Sequence, residues 1–345
     1  MGINDYKIGI LGCGRALPIF ELTNFALEEI VDTSDEWIQK RTGIKTRRII
    51  SEEESLLQLS YDAAKVAIDK AGINVNQIQY IRVGVNTHLK FPSLAAMVQK
   101  ALGIKNSSAA DISAGCAGFV FGVEDVFNSL RIDKLSLGLD GYGLIIGADV
   151  LSTVTDWTDR STCVLFGDGA GAVVLGPVDS GEIMAIFSRT QGEFADLLYL
   201  DKFLIPTLKS KEGKPVLLNQ PLKQQFLHMT GKKVFAVAVR SMMSDIKSVV
   251  AKYNHSHKEN LTLADIDYVI PHQANLRIVK AVQEGLKLRK DQVYRDGVIK
   301  YGNTSAATIP IGYVDELGKR PGAIEIDVSF GSGFASGAIL RRVAE

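Results

Sequence analysis

The 345-residue chain is poor in the features that metal sites, disulfide frameworks and membrane spans require. Its three cysteines, Cys13, Cys116 and Cys163, are widely spaced and form no CxxC pair, so neither a zinc site nor a disulfide framework is predicted. The longest apolar runs, such as 144–148, are far shorter than the ~20 residues that cross a bilayer. No metal and no membrane partner is therefore expected.

Net charge is also missing, because 39 basic side chains balance 39 acidic ones. Without a global basic field, nucleic acid is not expected as a main partner. The chain begins with charged residues and no apolar signal region, which predicts a cytoplasmic protein with reduced thiols. What the sequence has in quantity is apolar residues, 46%, and 32 glycines, enough for a large core with many tight turns.

Strand-like apolar runs alternate with helical patterns along the chain. Several of the runs are continuous, which is typical of strands buried on both faces. This alternation predicts an α/β protein with mainly parallel sheets. The predicted strands cover residues 7–11, 80–85, 143–147, 170–175, 268–270, 324–330 and 338–343. The predicted helices cover residues 56–71, 93–102, 117–130, 233–253 and 276–286.

The two halves of the sequence resemble each other. A helical pattern precedes the similar segments 78–81 and 266–269, and the glycine-rich segment 166–175 resembles 330–340. Self-similarity of this length indicates duplication of one α/β unit. The alternative is that strand–turn–strand segments look alike in unrelated proteins.

A duplication predicts two halves, 1–176 and 177–345. The stretch 176–230 between the repeated segments is charged and irregular, and 209–215 is predicted to be an exposed loop. The boundary between the halves is therefore expected at the start of this stretch.

One cysteine has surroundings suited to nucleophilic chemistry. Cys116 is flanked by small residues, and an apolar helix pattern follows it directly. The free N–H groups and dipoles at a helix start are expected to lower the pKa of its thiol, and thiolates attack thioesters well. The alternative, an inert buried cysteine, fits Cys13 and Cys163.

Three further windows carry polar groups or glycines at predicted strand ends and turns. His272 follows a strand, with a helix beginning near Asn275, and ligands of α/β sheets gather at such strand ends. Asn303 lies in a glycine-rich turn at the position equivalent to Cys116 in the duplication. The glycines of 330–334 allow backbone N–H groups to stabilise an oxyanion. The structural alternatives are a core histidine, a turn asparagine and a plain hairpin.

Taken together and in this order, these windows resemble the thiolase-fold condensing enzymes, and among them the 3-oxoacyl-[acyl-carrier-protein] synthase III family. The resemblance covers essentially the whole chain. The segments that carry it are 33–44, the window 111–119 around Cys116, 156–162, 166–171, 271–275 and 301–305.

The resemblance implies a fold and a reaction. The fold is an α/β five-layer αβαβα sandwich of two duplicated halves, in a homodimer.

The implied reaction uses Cys116, His272 and Asn303 as the catalytic triad. Cys116 takes an acyl group from a short acyl-CoA, and malonyl-acyl-carrier protein then enters. His272 and Asn303 bind its thioester oxygen while CO2 leaves, and the carbanion attacks the acyl-Cys116 thioester. Backbone N–H groups of Cys116 and Ser332 hold the oxyanion. No cofactor is implied beyond acyl-CoA as a substrate.

Binding roles follow from the same resemblance. Trp37 and Arg160 resemble the pair that sandwiches the CoA adenine, and Phe91 resembles a residue that closes the partner subunit's acyl pocket. The residues expected to bind CoA are Trp37, Arg41, Arg160, Phe235, Ala274 and Asn275. The basic residues expected to dock the acidic carrier protein are Lys232, Lys233, Arg277 and Lys280. The alternatives are a core aromatic for Trp37 and a solvated face for the lysines.

Four segments depart from the family pattern. They are expected around the acyl pocket or its rim, which leaves the primer and the acceptor open. The runner-up function is accordingly a related acyltransferase or condensing enzyme of secondary metabolism with a different acceptor. The departing segments are 86–90, 132–143, the stretch that begins at 200 and extends to 220, and 334–337.

Other classes of protein have weaker support. Gly12 and Gly14 follow a predicted strand, but the third glycine of a dinucleotide fingerprint is absent. His255 and His257 lie in a predicted polar loop without clustered partner ligands. A third alternative is a non-catalytic subunit with this fold. Such a subunit need not keep the three triad residues, so their presence argues against it.

Overall fold

The computed structural model describes residues 6–200 and 226–345. The loop predicted at 209–215 lies outside these described residues, as does nearly all of the departing stretch 200–220. In the described ranges, no helix is both long and apolar enough to cross a membrane.

The regular elements follow the predicted alternation. The strands are β1 Ile8–Ala16, β2 Glu21–Thr23, β3 Thr46–Arg48, β4 Ile78–Gly84, β5 Ser108–Ile112, β6 Tyr142–Val150, β7 Asp168–Pro177, β8 Ile183–Thr190, β9 Leu198–Tyr199, β10 His228–Met229, β11 Tyr268–Pro271, β12 Ile324–Phe330 and β13 Ala335–Arg342. The helices are α1 Asn24–Glu28, α2 Asp35–Thr42, α3 Leu56–Ala71, α4 Leu94–Leu102, α5 Gly118–Leu137, α6 Gly231–His257, α7 Leu276–Gly285, α8 Asp296–Tyr301 and α9 Thr308–Glu316.

Helix α3 shows why the sequence predicts its bounds well. Ser55 accepts a hydrogen bond from the Gln58 backbone and caps the first turn, and Gly72 ends the helix at a φ of 65°. Alanines and leucines recur on the face that packs against the sheet. The prediction of a helix over 56–71 is confirmed, because both caps and the apolar periodicity agree.

Two mixed sheets form the framework. The first has the strand order β1-β7-β6-β4-β5, and the second has the order β11-β12-β13-β8. Strand β4 is parallel to β5 and β6, and β11 is parallel to β12, whereas the other pairs are antiparallel. The expectation of mainly parallel sheets was therefore wrong. A turn as short as 331–334, between β12 and β13, permits only an antiparallel return.

The chain passes from the first sheet to the second soon after β7. The interval 176–230 was expected to be irregular, but β8 lies within it and pairs with β13 of the second sheet. That part of the expectation was wrong. The boundary between the halves 1–176 and 177–345 itself stays a prediction.

The elements stack in five layers. Helices α3 and α4 pack on one face of the first sheet, and α6 and α7 pack on the outer face of the second. Helices α5 and α9 lie between the two sheets, where Phe119 and Val123 meet Ile309 and Tyr313 in one apolar cluster. This is the αβαβα sandwich that the resemblance to the family implies. It places the start of α5 and the start of α9 in the middle of the molecule.

Gly12 and Gly14 have a packing role within β1. A Cβ at Gly12 would lie 2.2 Å from the carbonyl oxygen of Ala67, and one at Gly14 would lie 2.2 Å from that of Ala63. The two glycines therefore let α3 approach the strand closely. They lie within a continuous strand rather than in a phosphate-binding turn.

Candidate active site

Cys116 lies two residues before the first residue of helix α5, as the sequence predicts. Gly115, at a φ of 55°, turns the chain from β5 into this helix. The hydroxyl of Ser329, on β12, donates to the Cys116 carbonyl oxygen at 2.9 Å. The second sheet thus fixes the backbone of a residue that belongs to the first half.

A cavity of about 580 Å³ opens onto this cysteine. Cys116, His272 and Asn303 all line it, although they are far apart in the sequence. His272 and Asn303 are buried, whereas the charged Arg41 and Arg277 that line the same cavity are exposed. The cavity therefore has a buried end with the three predicted catalytic side chains and a charged mouth.

His272 is delivered by the C-terminal end of β11 and held by two hydrogen bonds. Its backbone nitrogen donates to the Val328 carbonyl at 2.8 Å, and its Nδ1 lies 2.7 Å from the Thr308 hydroxyl of α9. The Nε2 atom is buried and has no hydrogen-bond partner among the described residues. Burial lowers the pKa of His272 to about 3, so the imidazole is neutral near pH 7.

Asn303 is fixed by both its backbone and its side chain. Its N–H donates to the Leu165 carbonyl, and its own carbonyl accepts from the Gly167 N–H. The amide oxygen of its side chain accepts from the Ser305 backbone at 2.9 Å. This orientation leaves the amide NH2 as a donor on the wall of the cavity.

The ionisation of Cys116 differs from the prediction. The start of a helix was expected to lower the pKa of the thiol, but burial raises it to about 12. The buried carboxylate of Asp149 adds to this increase, and a hydrogen bond from Ser305 opposes it. Desolvation outweighs the helix effect because the sulfur lies in a largely apolar cavity. The resting group is thus a thiol.

The glycine turn after β12 approaches Cys116 backbone to backbone. A Cβ at Gly331 would lie 2.1 Å from the Cys116 nitrogen, and one at Gly115 would lie 2.3 Å from the Ser332 nitrogen. Only glycine at both positions permits this contact. It brings the backbone nitrogens of Cys116 and Ser332, the predicted oxyanion donors, to the same wall of the cavity.

Trp37 and Arg41 line the mouth, and Arg160 lies on Trp37. The guanidinium carbon of Arg160 is 4.8 Å from the Trp37 ring centroid, and that of Arg41 is 6.0 Å away. A purine between two flat groups needs roughly 7 Å, twice the ~3.5 Å contact distance. Arg160, which also contacts Asp32, must therefore move away before it can sandwich an adenine.

The other predicted CoA-binding residues lie along the same cavity. Phe235 of α6, Ala274 and Asn275 all line it. The Asn275 side chain also caps helix α7, because its oxygen accepts from the Arg277 backbone at 2.8 Å. Only its amide nitrogen, 3.4 Å from the Arg41 carbonyl, remains for a ligand.

The predicted docking cluster divides into two pairs. Lys232 and Lys233 lie in the first turn of α6, and Arg277 and Lys280 lie three residues apart on α7. All four are exposed, and none of them forms an ion pair with a described residue. Lys232 and Arg277 also line the cavity, whereas Lys233 and Lys280 do not.

Phe91 projects from the molecule with 95% of its surface exposed. It precedes α4, whose first turn is capped by Asp111 of β5 through two backbone hydrogen bonds of 2.8 Å. Strand β5 is the outermost strand of the first sheet. An exposed aromatic ring therefore lies on a segment that is attached to an open strand edge.

Two of the departing segments do not line the cavity: 132–143 lies far from it, and 334–337 lies behind its wall. Residues 132–143 were expected near the pocket, but α5 continues to Leu137 and ends at Gly138, at a φ of 70°. With a rise of about 1.5 Å per residue, this end of the 20-residue helix is roughly 30 Å from Cys116. Phe334 is buried against Phe194 and Phe330 in the core of the second half. Neither segment lines the cavity.

Residues that sequence analysis did not assign complete the buried end. Asn86 and Ser305 line the cavity, Asp149 lies buried behind them, and Thr308 contacts His272. Asn86 begins segment 86–90, and the departure of this segment from the family pattern was a sequence signal that could have identified Asn86. Ser305 and Thr308 follow Asn303 in the same sequence window.

No metal centre emerges from the described part of the chain. It contains no group of three or more His, Cys, Asp or Glu side chains that could hold a metal ion. His255 and His257 lie in the last turn of α6, so the polar loop expected there begins later.

The five-layer sandwich, with a cysteine at the start of its central helix and a histidine and an asparagine across a cavity, defines a condensing enzyme of the thiolase fold. Comparison with known proteins makes the assignment more specific. Residues 110–192 match the model of 3-oxoacyl-[acyl-carrier-protein] synthase III, and residues 256–343 match the model of its C-terminal part. The chain belongs to this family and is an acyltransferase of the initiating condensation in fatty acid synthesis.

Individual relatives agree over nearly their whole length. The chain is 42% identical to beta-ketoacyl-[acyl-carrier-protein] synthase III of Geobacillus kaustophilus, over 97% of this chain and 98% of the relative. The crystal structure of 3-oxoacyl-[acyl-carrier-protein] synthase III from Aquifex aeolicus superposes with a TM-score of 0.82 at 38% identity, covering 97% and 99% of the two chains. The priming beta-ketosynthase of the R1128 polyketide pathway superposes with a TM-score of 0.81 at 28% identity, covering 99% of this chain and 97% of that one.

Proposed function

We propose that this chain joins a short acyl group from acyl-CoA to malonyl-acyl-carrier protein, with Cys116 as the acyl carrier. The products are 3-oxoacyl-acyl-carrier protein, CoA and CO2. The observation that supports this most directly is the shared cavity: a thiol, a neutral imidazole and a fixed amide line its buried end, and basic side chains line its mouth. The reaction needs no cofactor besides its acyl-CoA substrate.

The first half-reaction is acyl transfer to sulfur. The Cys116 sulfur attacks the thioester carbon, the bond from that carbon to the CoA sulfur breaks, and the thiol proton ends on CoA. Negative charge collects on the carbonyl oxygen in the tetrahedral intermediate. The backbone N–H groups of Cys116 and Ser332 are suited to hold that oxygen, because the close glycine contact brings the two nitrogens near each other.

The second half-reaction is decarboxylation followed by carbon–carbon bond formation. His272 Nε2 and the Asn303 amide donate to the malonyl thioester oxygen, so that loss of CO2 leaves an enolate. For Nε2 to donate, the Thr308 hydroxyl must donate to Nδ1. Two neutral donors stabilise the enolate without protonating its carbon, and the low pKa of His272 keeps the imidazole neutral. The enolate carbon then attacks the acyl thioester and releases Cys116.

The substrate arms enter through the charged mouth. Trp37, Arg41 and Arg160 would bind the CoA nucleotide, while Phe235, Ala274 and Asn275 would line the pantetheine path. An acidic carrier protein would dock on Lys232, Lys233, Arg277 and Lys280. The 95% exposure of Phe91 beside the open edge of β5 supports a homodimer in which this ring reaches the partner subunit. A cytoplasmic location is proposed with it, as expected for an enzyme that uses acyl-CoA and a carrier protein.

Mass spectrometry of the intact protein after exposure to a panel of short acyl-CoAs tests this function. An adduct on Cys116 that malonyl-acyl-carrier protein then discharges is the expected result. Cys116→Ala should abolish the adduct, whereas Cys163→Ala, which removes a buried thiol outside the cavity, should keep it. An adduct that persists in Cys116→Ala would refute the assignment of the nucleophile.

The runner-up function, condensation with another acceptor in secondary metabolism, has one supporting observation. The polyketide priming synthase shares the fold at a similar TM-score, though at lower identity than the Aquifex aeolicus enzyme. The same experiment separates the two functions. An acyl-Cys116 adduct that forms but is not discharged by malonyl-acyl-carrier protein would favour the other acceptor.

A further inference from the structure

Segment 86–90, which departs from the family pattern, begins with a side chain at the buried end of the cavity. Asn86 follows β4 and lines the cavity beside Cys116. Its backbone nitrogen lies 2.8 Å from one oxygen of Asp149, and its Nδ2 lies 2.9 Å from the other. The proposed reaction assigns no role to Asn86, so these contacts need an explanation of their own.

Asp149, near the end of β6, determines how the Asn86 amide is oriented. Its carboxylate is completely buried and also accepts from the backbone and the hydroxyl of Thr87, both at 2.9 Å. A carboxylate only accepts hydrogen bonds, so the NH2 group of Asn86 must face it. The same Nδ2 lies 3.4 Å from the Ser305 hydroxyl oxygen.

Ser305 connects this network to the sulfur. It is buried and has a φ of 53°, a conformation that serine rarely adopts and that persists where the surroundings enforce it. Its backbone N–H holds the Asn303 amide oxygen, and its hydroxyl oxygen lies 3.4 Å from the Cys116 sulfur. The Asn86 amide donates to the hydroxyl oxygen, so the one hydroxyl proton has two acceptors nearby, the Cys116 sulfur at 3.4 Å and the Asp149 carboxylate, whose pKa a Ser305 hydrogen bond also lowers.

We propose that Ser305 donates a hydrogen bond to the Cys116 sulfur and thereby sets the acylation rate, and that Asn86 and Asp149 are positioning residues that direct this hydroxyl. The inference deepens the proposed function and rests on Cys116 as its nucleophile. During acylation the Ser305 proton stays on its own oxygen. The thiol proton still ends on CoA as the carbon–sulfur bonds exchange.

Electrostatics explains why this sulfur needs a donor. Burial raises the pKa of the Cys116 thiol, and the nearby Asp149 carboxylate raises it further, whereas the Ser305 hydrogen bond lowers it. His272, the other titratable group at the buried end, is neutral near pH 7. The cations that line the cavity, Arg41, Lys232 and Arg277, are at its exposed mouth. The Ser305 hydroxyl and the backbone N–H of Cys116 itself are thus the local donors that favour the thiolate, and the Ser305 hydroxyl contributes more.

The test is the rate of Cys116 alkylation by iodoacetamide over a range of pH, measured by mass spectrometry on the full chain. Ser305→Ala should displace the rising limb of the profile by about one pH unit to the alkaline side, which is about tenfold slower alkylation at fixed pH. Ser305→Gly should behave alike, and it relieves the φ of 53°. Asn86→Ala should shift the profile in the same direction by a smaller amount.

A matched control is Ser60→Ala, which removes a buried hydroxyl on α3 that donates to the Leu56 carbonyl and lies outside the cavity. Its pH profile should equal that of the unmodified sequence. The double variant Asn86→Ala/Ser305→Ala should be no slower than Ser305→Ala alone, because Asn86 acts through Ser305. Thermal unfolding of each variant checks that the chain is folded.

The outcomes separate this inference from the function on which it rests. Unchanged pH profiles in both folded Ser305 variants would overturn the role of Ser305. A shift in those variants with none in Asn86→Ala would overturn the positioning role of Asn86. If the profiles shift as expected but no acyl-CoA ever loads Cys116, the proposed function fails while the hydrogen-bond assignment stands.

Discussion

The two ends of the cavity differ in charge, in burial and in how their side chains are held. At the buried end, His272 and Asn303 are uncharged and each is fixed by hydrogen bonds to neighbouring elements. At the mouth, Arg41, Lys232 and Arg277 are charged and exposed. The first arrangement suits a reaction in which charge develops at fixed points, and the second suits recognition of anionic substrates that arrive from solvent.

This contrast implies different responses to mutation. Removing a preorganised donor at the buried end should impair the chemical step itself, because no water can replace it with the correct geometry. Removing one cation at the mouth should weaken binding only slightly, because exposed charges are screened and act together. Experiments that separate loading, decarboxylation and carrier-protein affinity therefore test the comparison directly.

The largest effect is expected from the two enolate donors. His272→Ala and Asn303→Ala should each load the acyl group on Cys116 but reduce CO2 release from malonyl-acyl-carrier protein by about 10²-fold or more, the usual cost of one oxyanion donor. Radiometric CO2 release and intact mass measure the two steps on one sample. Undiminished CO2 release in both variants would remove the donors from the mechanism.

The pH dependence of decarboxylation provides a second test of the buried end. An ordinary imidazole would gain a proton as the pH falls through about 6.5, whereas the pKa of His272 is lowered to about 3 by burial. His272 should therefore stay neutral, and the CO2 release rate should be flat between about pH 5 and pH 8. An inflection near pH 6.5 that disappears in His272→Ala would show that the imidazole ionises during the reaction.

A smaller effect is expected when the imidazole loses its orientation. Thr308→Val keeps the volume of the side chain but removes the hydroxyl that lies 2.7 Å from His272 Nδ1. The Nδ1 atom can then carry the proton, which leaves Nε2 without one, so CO2 release should fall about tenfold while acyl loading is unchanged. Thr308→Ser should recover most of the loss. Equal loss in both variants would indicate a packing role for Thr308 instead.

The same contrast explains what the sequence could predict. Strand–helix alternation made the α/β class accessible, although it also predicted mainly parallel sheets. The five-layer fold and the joint roles of Cys116, His272 and Asn303 came from the resemblance to the family, because each local window alone has a structural alternative. The Asn86–Ser305 contact joins residues 219 positions apart, and no local pattern encodes it. Local cues can also be misread. Segment 132–143 was expected near the pocket, but its first residues continue α5, and Gly138 is the residue at which this helix ends.

The ionisation of Cys116 shows why local rules fail in a cavity. The position of Cys116 before a helix led to the expectation of a lowered pKa. The sign of the pKa shift, however, depends on how much water reaches the sulfur and on where the Asp149 carboxylate lies. Both depend on how the two halves close over the cavity, since His272, Asn303 and Ser305 all come from the second half. Desolvation is a property of the assembled fold and not of the helix.

The smallest expected effect concerns the mouth, and it separates two kinds of basic residue. Lys233→Ala and Lys280→Ala, which lie outside the cavity, should each raise the KM for malonyl-acyl-carrier protein about twofold to threefold at low salt, with kcat and acyl-CoA loading unchanged. Both effects should vanish at high salt. Arg277→Ala, which does line the cavity, should slow loading as well.

Lys65→Ala is the matched control for these variants, because Lys65 lies on α3, in the outer layer of the opposite half. It removes one exposed positive charge and should leave every constant unchanged. If it raises the KM as much as Lys233→Ala does, the carrier protein responds to net charge rather than to a defined surface. If Lys233→Ala and Lys280→Ala also slow loading from acyl-CoA, the charged end is a single binding site, and the division into a cavity mouth and a docking surface is wrong.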